Sequence, residues 1–250
     1  MILITGDTHG DLSRFKKKEL KKLRKNDTLI ICGDFGFVWD GSKAEQKLLK
    51  WLGKRKYNVL FVEGVHENFS ELEKYDTEQW CGGITRKISG NLRQLMRGQV
   101  FDIDGKRIFA FGGGRSEEND SYLNSDDDNE ARLRWKQEIP TEEELDQGMK
   151  NLERCDFTVD YIVSYEPPAR ISEFMELGKS DRSHVNTYLE KVREKTEFVR
   201  WFFGRHHINK LIPPKFQAVF DGIVDANEIP RTAILSKILT EKEVTENGRV

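Results

Sequence analysis

Short apolar runs, each followed by a glycine and then by polar residues, set the rhythm of the first third of this chain. Ile2-Leu3-Ile4 precedes Thr5-Gly6-Asp7-Thr8-His9-Gly10-Asp11, and Thr28 to Cys32 precedes Gly33-Asp34-Phe35-Gly36. Val59 to Val62 precedes Glu63-Gly64-Val65-His66-Glu67. Apolar runs of this length predict short strands. Between them, Phe15, Leu20 and Leu23 predict a helix with one apolar side, ending before Asn26-Asp27. Ala44 to Leu52 predicts a second helix with Leu48, Leu49, Leu52 and Trp51 turned inward. Strand and helix in alternation, with polar residues at each strand exit, predict an α/β sheet whose loops share one rim.

The pattern changes in the middle. Phe101 to Ile108 alternates about Asp104-Gly105 and predicts a hairpin, an antiparallel addition to the α/β core. Ile108 to Phe111 continues as a strand into Gly112-Gly113-Gly114, which lacks the Lys-Ser/Thr end of a P-loop. Residues 117–130 are dominated by Asp, Glu, Asn and Ser and read as a solvated loop. Their Asp run lacks the glycine and terminal glutamate spacing of a calcium loop. After Pro140, Thr141 and Glu144 stand in capping-box positions for a helix to Leu152. Val159 to Ser164 is the next strand, leading into Tyr165-Glu166-Pro167-Pro168. Val185 to Glu197 is a helix, and Val199 to Phe203 a strand leading into Gly204-Arg205-His206-His207. With no repeat and no Pro/Ser-rich linker, residues 1–232 are expected to form a single domain. Residues 233–250 are expected to form a charged C-terminal helix or tail.

Charge narrows the partners. Lys and Arg total 41 against 43 Asp and Glu, a formal net charge of −2, which speaks against a broad cationic surface for nucleic acid or anionic membrane. Aromatic residues at 10% are too many for a disordered chain. Cys32, Cys81 and Cys155 are too scattered for a disulfide framework or a Cys-rich zinc site, and Cys32 reads as a buried, reduced strand residue. The N-terminus carries no basic segment leading into a long apolar stretch, and no run approaches the roughly 18 apolar residues of a membrane span. The expectation is a cytoplasmic protein.

Four of the five histidines, His9, His66, His206 and His207, stand at strand exits, whereas His184 opens a helix. The spacing of Asp7 and His9 places both side chains on one side of an extended loop, and Asp34 and His207 can join them from other strand ends. Two carboxylates and two imidazoles suit Mn²⁺, Fe²⁺ or Zn²⁺. Taken singly, each has another use: Asp7 or Asp34 as a helix cap, a histidine as a packed side chain.

Gly6-Asp7-Thr8-His9-Gly10, Gly33-Asp34, Gly64-Val65-His66-Glu67 and Gly204-Arg205-His206-His207 resemble, in order, spacing and strand context, the ordered blocks of calcineurin-like metallophosphoesterases. The resemblance runs from Ile2 to about Phe220, and its detailed text is similar to the small bacterial members. It implies a four-layer α/β-β/α sandwich of two mixed sheets, a metal centre at its rim, and hydrolysis of phosphate esters. By resemblance, one metal position is served by Asp7, His9, Asp34 and His207, a set that is intact. The other uses the shared Asp34 with an Asn and two His, and those three positions here read Val65, Tyr165 and Arg205. Val65 has no ligating atom, Arg205 has no acceptor, and Tyr165 ligates only as a phenolate. The resemblance therefore implies one divalent transition metal in place of two.

Arg205 offers a partial substitute for the missing ion. One cation with Asp7, Asp34 and Arg205 carries about the same net charge as two cations with these carboxylates and a bridging hydroxide. A guanidinium also grips phosphate bidentately. His66 holds the position that in the family helps protonate the leaving oxygen, with Glu67 beside it to orient the ring or support the loop. His206, Arg115 and Arg132 are candidate substrate contacts. Three readings follow. The chain is a mononuclear phosphomonoesterase or phosphodiesterase acting on a small phosphate ester or nucleotide. Alternatively it is an inactive relative that keeps one metal as a ligand-binding centre, or a module that meets a protein partner through residues 117–130.

Overall fold

The computed structural model describes residues 1–116, 136–176 and 183–228. The acidic segment 117–130, Arg132 and the expected tail 233–250 lie outside the described residues. The three opening apolar runs form β1 (Ile2–Gly6), β2 (Thr28–Cys32) and β3 (Asn58–Val62). These pair in parallel, with β6 (Leu92–Leu95) next to β3. β5 (Gly83–Ser89) and β4 (Thr77–Trp80) extend this sheet antiparallel at one edge, and β13 (Val224–Asp225) pairs antiparallel with β1 at the other.

The second sheet repeats the plan. Its parallel centre is β8 (Lys106–Phe111), β9 (Tyr161–Ser164), β10 (Arg200–Phe203) and β12 (Phe216–Ala218). β7 (Gln99–Ile103) and β11 (Lys210–Ile212) pair antiparallel at the two edges. The expected hairpin is the β7–β8 pair, turned by Asp104 and Gly105, both with positive φ (54° and 67°).

Period-two alternation divides each strand between two cores. Ile2, Ile4, Ile30, Cys32, Leu60 and Val62 face Phe101, Ile108, Ala110, Tyr161, Val163 and Phe202 between the sheets. Leu3, Leu29, Ile31, Val59 and Phe61 face outward and pack with Leu49 and Leu52 of α2 (Lys43–Gly53). On the far side, Phe109, Phe111, Ile162, Trp201 and Phe203 pack with Leu145 and Leu152 of α4 (Glu142–Glu153) and with Val185, Leu189 and Val192 of α6 (His184–Lys195). Helices, sheet, sheet and helices make the four-layer sandwich. Each such side chain contributes roughly 1.5–3 kcal/mol by leaving water.

Several local expectations change. The helix expected over Phe15–Leu23 is broken: Leu12–Lys16 is a 3-10 turn capped by Asp11, Lys17 is extended, and α1 is only Lys18–Lys21. Phe15, Leu20 and Leu23 are buried all the same. Trp51 is exposed, not inward, and carries the Arg55 guanidinium 3.6 Å from its ring centroid. The short elements α3 (Phe69–Leu72), α5 (Ala169–Met175), β4 to β6 and β11 to β13 carry no pattern long enough to read. Among the described residues, no helix is long and apolar enough to cross a membrane.

A buried polar knot holds the loop after β3. Arg97 donates to Glu63 Oε1, to Glu144 Oε2 (3.1 Å) and to the carbonyls of Gln137 and Glu138 (2.9 and 3.2 Å). Glu63 also accepts from Gln94 Nε2 at 2.9 Å. Nearby, Glu138 Oε1 accepts from both Ser116 N (2.9 Å) and Ser116 Oγ (3.0 Å), which clasps the two ends of segment 117–135. Removing one partner of a buried ion pair leaves an uncompensated charge, at a cost of about 3–5 kcal/mol. Arg97→Leu is expected to lower the unfolding free energy by that amount in urea titration, while Lys87→Leu, in an exposed pair with Glu78, changes it by less than about 1 kcal/mol.

Candidate metal centre

Sheet register brings the strand exits together. Gly6 pairs with Cys32, so Asp7 leaves β1 beside Gly33-Asp34 leaving β2. Phe203 pairs with Ser164 in the other sheet, which sets Gly204-Arg205 beside Tyr165-Glu166. The two rims then interlock through glycines. At Gly33 (φ 101°) a Cβ would lie 2.0 Å from the Tyr165 ring, and at Gly204 it would lie 2.0 Å from the Cys32 carbonyl oxygen and 2.8 Å from Asp7 Oδ2.

Asp7, His9, Asp34 and His207 each present one ligand atom, all within 4.8 Å of one another. The loop between Asp7 and His9 is not extended as expected. Asp7 (φ 22°), His9 (φ 44°), Asp34 (φ 41°) and His207 (φ 48°) all have left-handed backbones, a concentration of strain typical of functional sites. This curl, and not strand-like alternation, turns the side chains inward. Thr8 Oγ1, donating to the Phe35 carbonyl, and His9 N, donating to the Asp34 carbonyl, lock the two loops together.

The electrostatics call for a cation. Both carboxylates are wholly buried. Asp7 is pushed well above the usual carboxylate range by burial, and the charge of Asp34 adds to that shift. Asp7 Oδ1 accepts from the Arg205 backbone N–H at 3.2 Å, but Asp7 Oδ2 is buried with no partner among the described residues. The His9 and His207 Nε2 atoms face each other at 3.0 Å. An orphaned carboxylate oxygen and two converging imidazole nitrogens are a donor set that one divalent cation satisfies. Asp34 stays below its ordinary value although burial pushes it up, because the His66 ring and backbone N–H both bond it.

The other three positions are closed. Tyr165 Oη donates to Asp34 Oδ2 at 3.1 Å, and burial pushes this phenol well above its ordinary value, so it stays protonated. Val65 is buried and offers no donor atom. Arg205 donates to Glu166 Oε1 (3.1 Å) and to the Arg115 carbonyl (3.0 Å). Glu166 also accepts from Arg115 N and Ser183 Oγ; burial raises it above its ordinary value, and the Arg205 charge and these donors oppose that shift. Arg205 is thus engaged by a buried carboxylate, a partner that the expected charge equivalence did not include. Glu166 stands in a strand exit, and nothing in its spacing announces this role.

His66 Nδ1 lies 3.1 Å from Asp34 Oδ2, and its backbone N–H donates to Asp34 Oδ1 at 2.8 Å. Glu67 takes the loop-supporting role: buried, it accepts from the backbone N–H groups of Phe35 (2.6 Å) and Gly36 (3.2 Å), and burial raises it to about 8. Val65, His66, Tyr165, Arg205, His206 and His207 line a cavity of about 330 Å³, with Ser116 and Glu176. His206 is largely buried, its Nδ1 3.8 Å from Glu176 Oε1 and its Nε2 without a hydrogen-bond partner among the described residues. The Arg115 side chain is exposed, and His184 lies on the surface near Glu142. Larger cavities of about 610 and 470 Å³, between β7 and α4 and beside Arg97, contain none of the ligand set.

Residues 1–211 match the family model described as Calcineurin-like phosphoesterase. No curated protein matches the chain significantly.

Asp7→Asn separates the two consequences of this geometry. It replaces an orphaned, repelled oxygen with a donor facing Asp34. In EDTA the variant is expected to melt a few degrees above the wild type, at about 2–4 °C per kcal/mol. The folded-state value of Asp7 is raised, so the wild-type protein loses stability as pH climbs above the ordinary carboxylate value of about 3.9, and the variant lacks that loss. With Mn²⁺ the order reverses, because only the wild type gains from the ion. Calorimetric melts with and without metal check both signs.

Proposed function

The chain belongs to the calcineurin-like phosphoesterase family, and from that membership we propose a metal-dependent phosphoester hydrolase that works with one divalent cation. The observation that carries this reading is one complete donor cluster, beside which Tyr165 stands at a position where the family carries a second-site histidine and donates its hydroxyl to Asp34. The proposed ligands are Asp7, His9, Asp34 and His207, and the donor set suits Mn²⁺, Fe²⁺ or Zn²⁺. Once bound, such an ion supplies Lewis-acid polarisation of a phosphoryl oxygen.

The chain's own residues supply the rest. His66 keeps Nδ1 on Asp34 and, when protonated, passes the Nε2 proton to the leaving oxygen. Tyr165 holds Asp34 in place through a neutral hydrogen bond. Val65 and the Tyr165 ring give the cavity an apolar wall, and His206 and Arg115 are proposed to meet the substrate, a small phosphate monoester, diester or nucleotide. We place this activity in a single domain spanning residues 1–232, and its free cysteines suit the cytoplasm. The pairing of Arg205 with Glu166 favours a second reading, a catalytically silent relative that retains one metal to bind a ligand, because the Arg205 guanidinium is then engaged by a carboxylate in place of phosphate.

Two measurements decide between them. Metal analysis of the purified protein is expected to give one equivalent per chain. Reloaded with Mn²⁺, Fe²⁺ or Zn²⁺, the protein is expected to hydrolyse an aryl phosphate diester or monoester. Asp7→Asn abolishes this activity, and His66→Ala lowers kcat by about 10²–10⁴-fold. One bound ion with no turnover above the Asp7→Asn background identifies the silent relative. The triple variant Val65→Asn, Tyr165→His, Arg205→His is expected to raise the stoichiometry towards two.

A further inference from the structure

A metal-binding histidine ordinarily donates its second ring N–H to a carboxylate or carbonyl, which fixes the ring's orientation. His207 does not. Its Nε2 faces His9, and Nδ1 has no hydrogen-bond partner among the described residues. Its ring instead stacks on Phe220, with centroids 4.9 Å apart and planes inclined by 27°.

Phe220 is itself unusually well fixed. Its carbonyl accepts from three donors: Gly6 N (2.9 Å), Thr5 Oγ1 (2.9 Å) and Arg14 Nη1 (2.6 Å). Its N–H donates to Asn209 Oδ1 at 2.9 Å. The Arg14 guanidinium also lies 4.9 Å from the Phe220 ring centroid, and its Nη2 donates to the Asp7 carbonyl at 2.8 Å. Arg14 is buried, so these bonds form away from competing water. One guanidinium thus ties the backbone of the ligand Asp7 to the residue that carries the ring of the ligand His207. Arg14 and Phe220 come from distant parts of the sequence and meet only because β1 receives the 219–222 loop along its edge.

We infer that Phe220, held by Arg14, is a positioning residue for the metal ligand His207, setting its imidazole by ring stacking where a hydrogen bond is usual. The inference rests on the proposed cation site, but not on turnover. A flat aromatic surface restrains the tilt of an imidazole and leaves Nε2 directed at the cation. An aliphatic side chain of similar volume fills the space without that restraint. Loss of a residue that orients a ligand costs about 10- to 100-fold in metal affinity.

The test compares Phe220→Tyr, which keeps the ring, with Phe220→Leu, which keeps most of the volume. Zn²⁺ affinity is read by competition with a chromophoric chelator, and ligand geometry by the visible absorption of the Co²⁺-loaded protein. Phe220→Leu is expected to lose about 10- to 100-fold in Zn²⁺ affinity and to alter the Co²⁺ spectrum, while Phe220→Tyr matches the wild type on both. Equal affinity and equal spectra for the two variants overturn the inference, as does a wild-type chain that binds neither ion. Should Phe220→Leu not fold, proton NMR of the cation-free wild-type protein reads the stack directly. Upfield ring-current shifts of the His207 ring protons support it, and ordinary shifts overturn it. A chain that passes these tests yet hydrolyses no ester would count against the proposed reaction alone.

Discussion

Two aspartates are forced out of water side by side, and most of the rim is arranged around that fact. Parallel pairing of β1 with β2 makes Asp7 and Asp34 neighbours, and the second sheet closes over them. Like charges in a low-dielectric setting repel strongly, and burial penalises each charge before the other is considered. Asp34 is stabilised by donors from His66 and Tyr165, whereas Asp7 keeps one oxygen without a partner. The imbalance is directional: the unpartnered oxygen lies on the side where Asp7, His9 and His207 converge, a donor set able to hold a divalent cation.

Tyr165 explains why the imbalance does not extend to a second ion. A phenol with its ring laid against Gly33 occupies the approach to Asp34 and delivers a hydrogen bond in place of a metal. Because burial keeps it neutral, it stabilises the carboxylate without becoming a ligand. Arg205 looks from its sequence position like a charge replacement, but in the fold it pairs with Glu166 and supports the Arg115 carbonyl. Position in a motif specifies where a side chain starts. The partner it finds depends on what the neighbouring strand brings.

That distinction governs how much was legible beforehand. Continuous apolar runs marked β1 to β3, because a strand buried on both faces needs apolar residues at every position. The Asp104-Gly105 turn and the Thr141/Glu144 cap were readable because each depends on chemistry within a few residues. β5 was hidden by its polar positions, and the helix expected near Phe15 failed because the Asp11 cap favours a tight turn there. At the rim, the resemblance named the four converging residues, but their left-handed backbones were not evident from spacing. The roles of Glu166, Arg14 and Phe220 are not legible in the sequence, since they depend on contacts between residues far apart in it.

The clasp of Glu138 on Ser116 has a consequence for how this fold can vary. Ser116 lines the cavity beside His66, so the clasp holds the residues that flank segment 117–135 to one another at the site. The entropic cost of closing a loop grows only with the logarithm of its length, about 0.6 kcal/mol for each doubling. With its ends tied to one another, the intervening chain can lengthen, shorten or change sign of charge without disturbing either sheet. Sequence change between the two clasped residues therefore costs the scaffold that holds the aspartates very little.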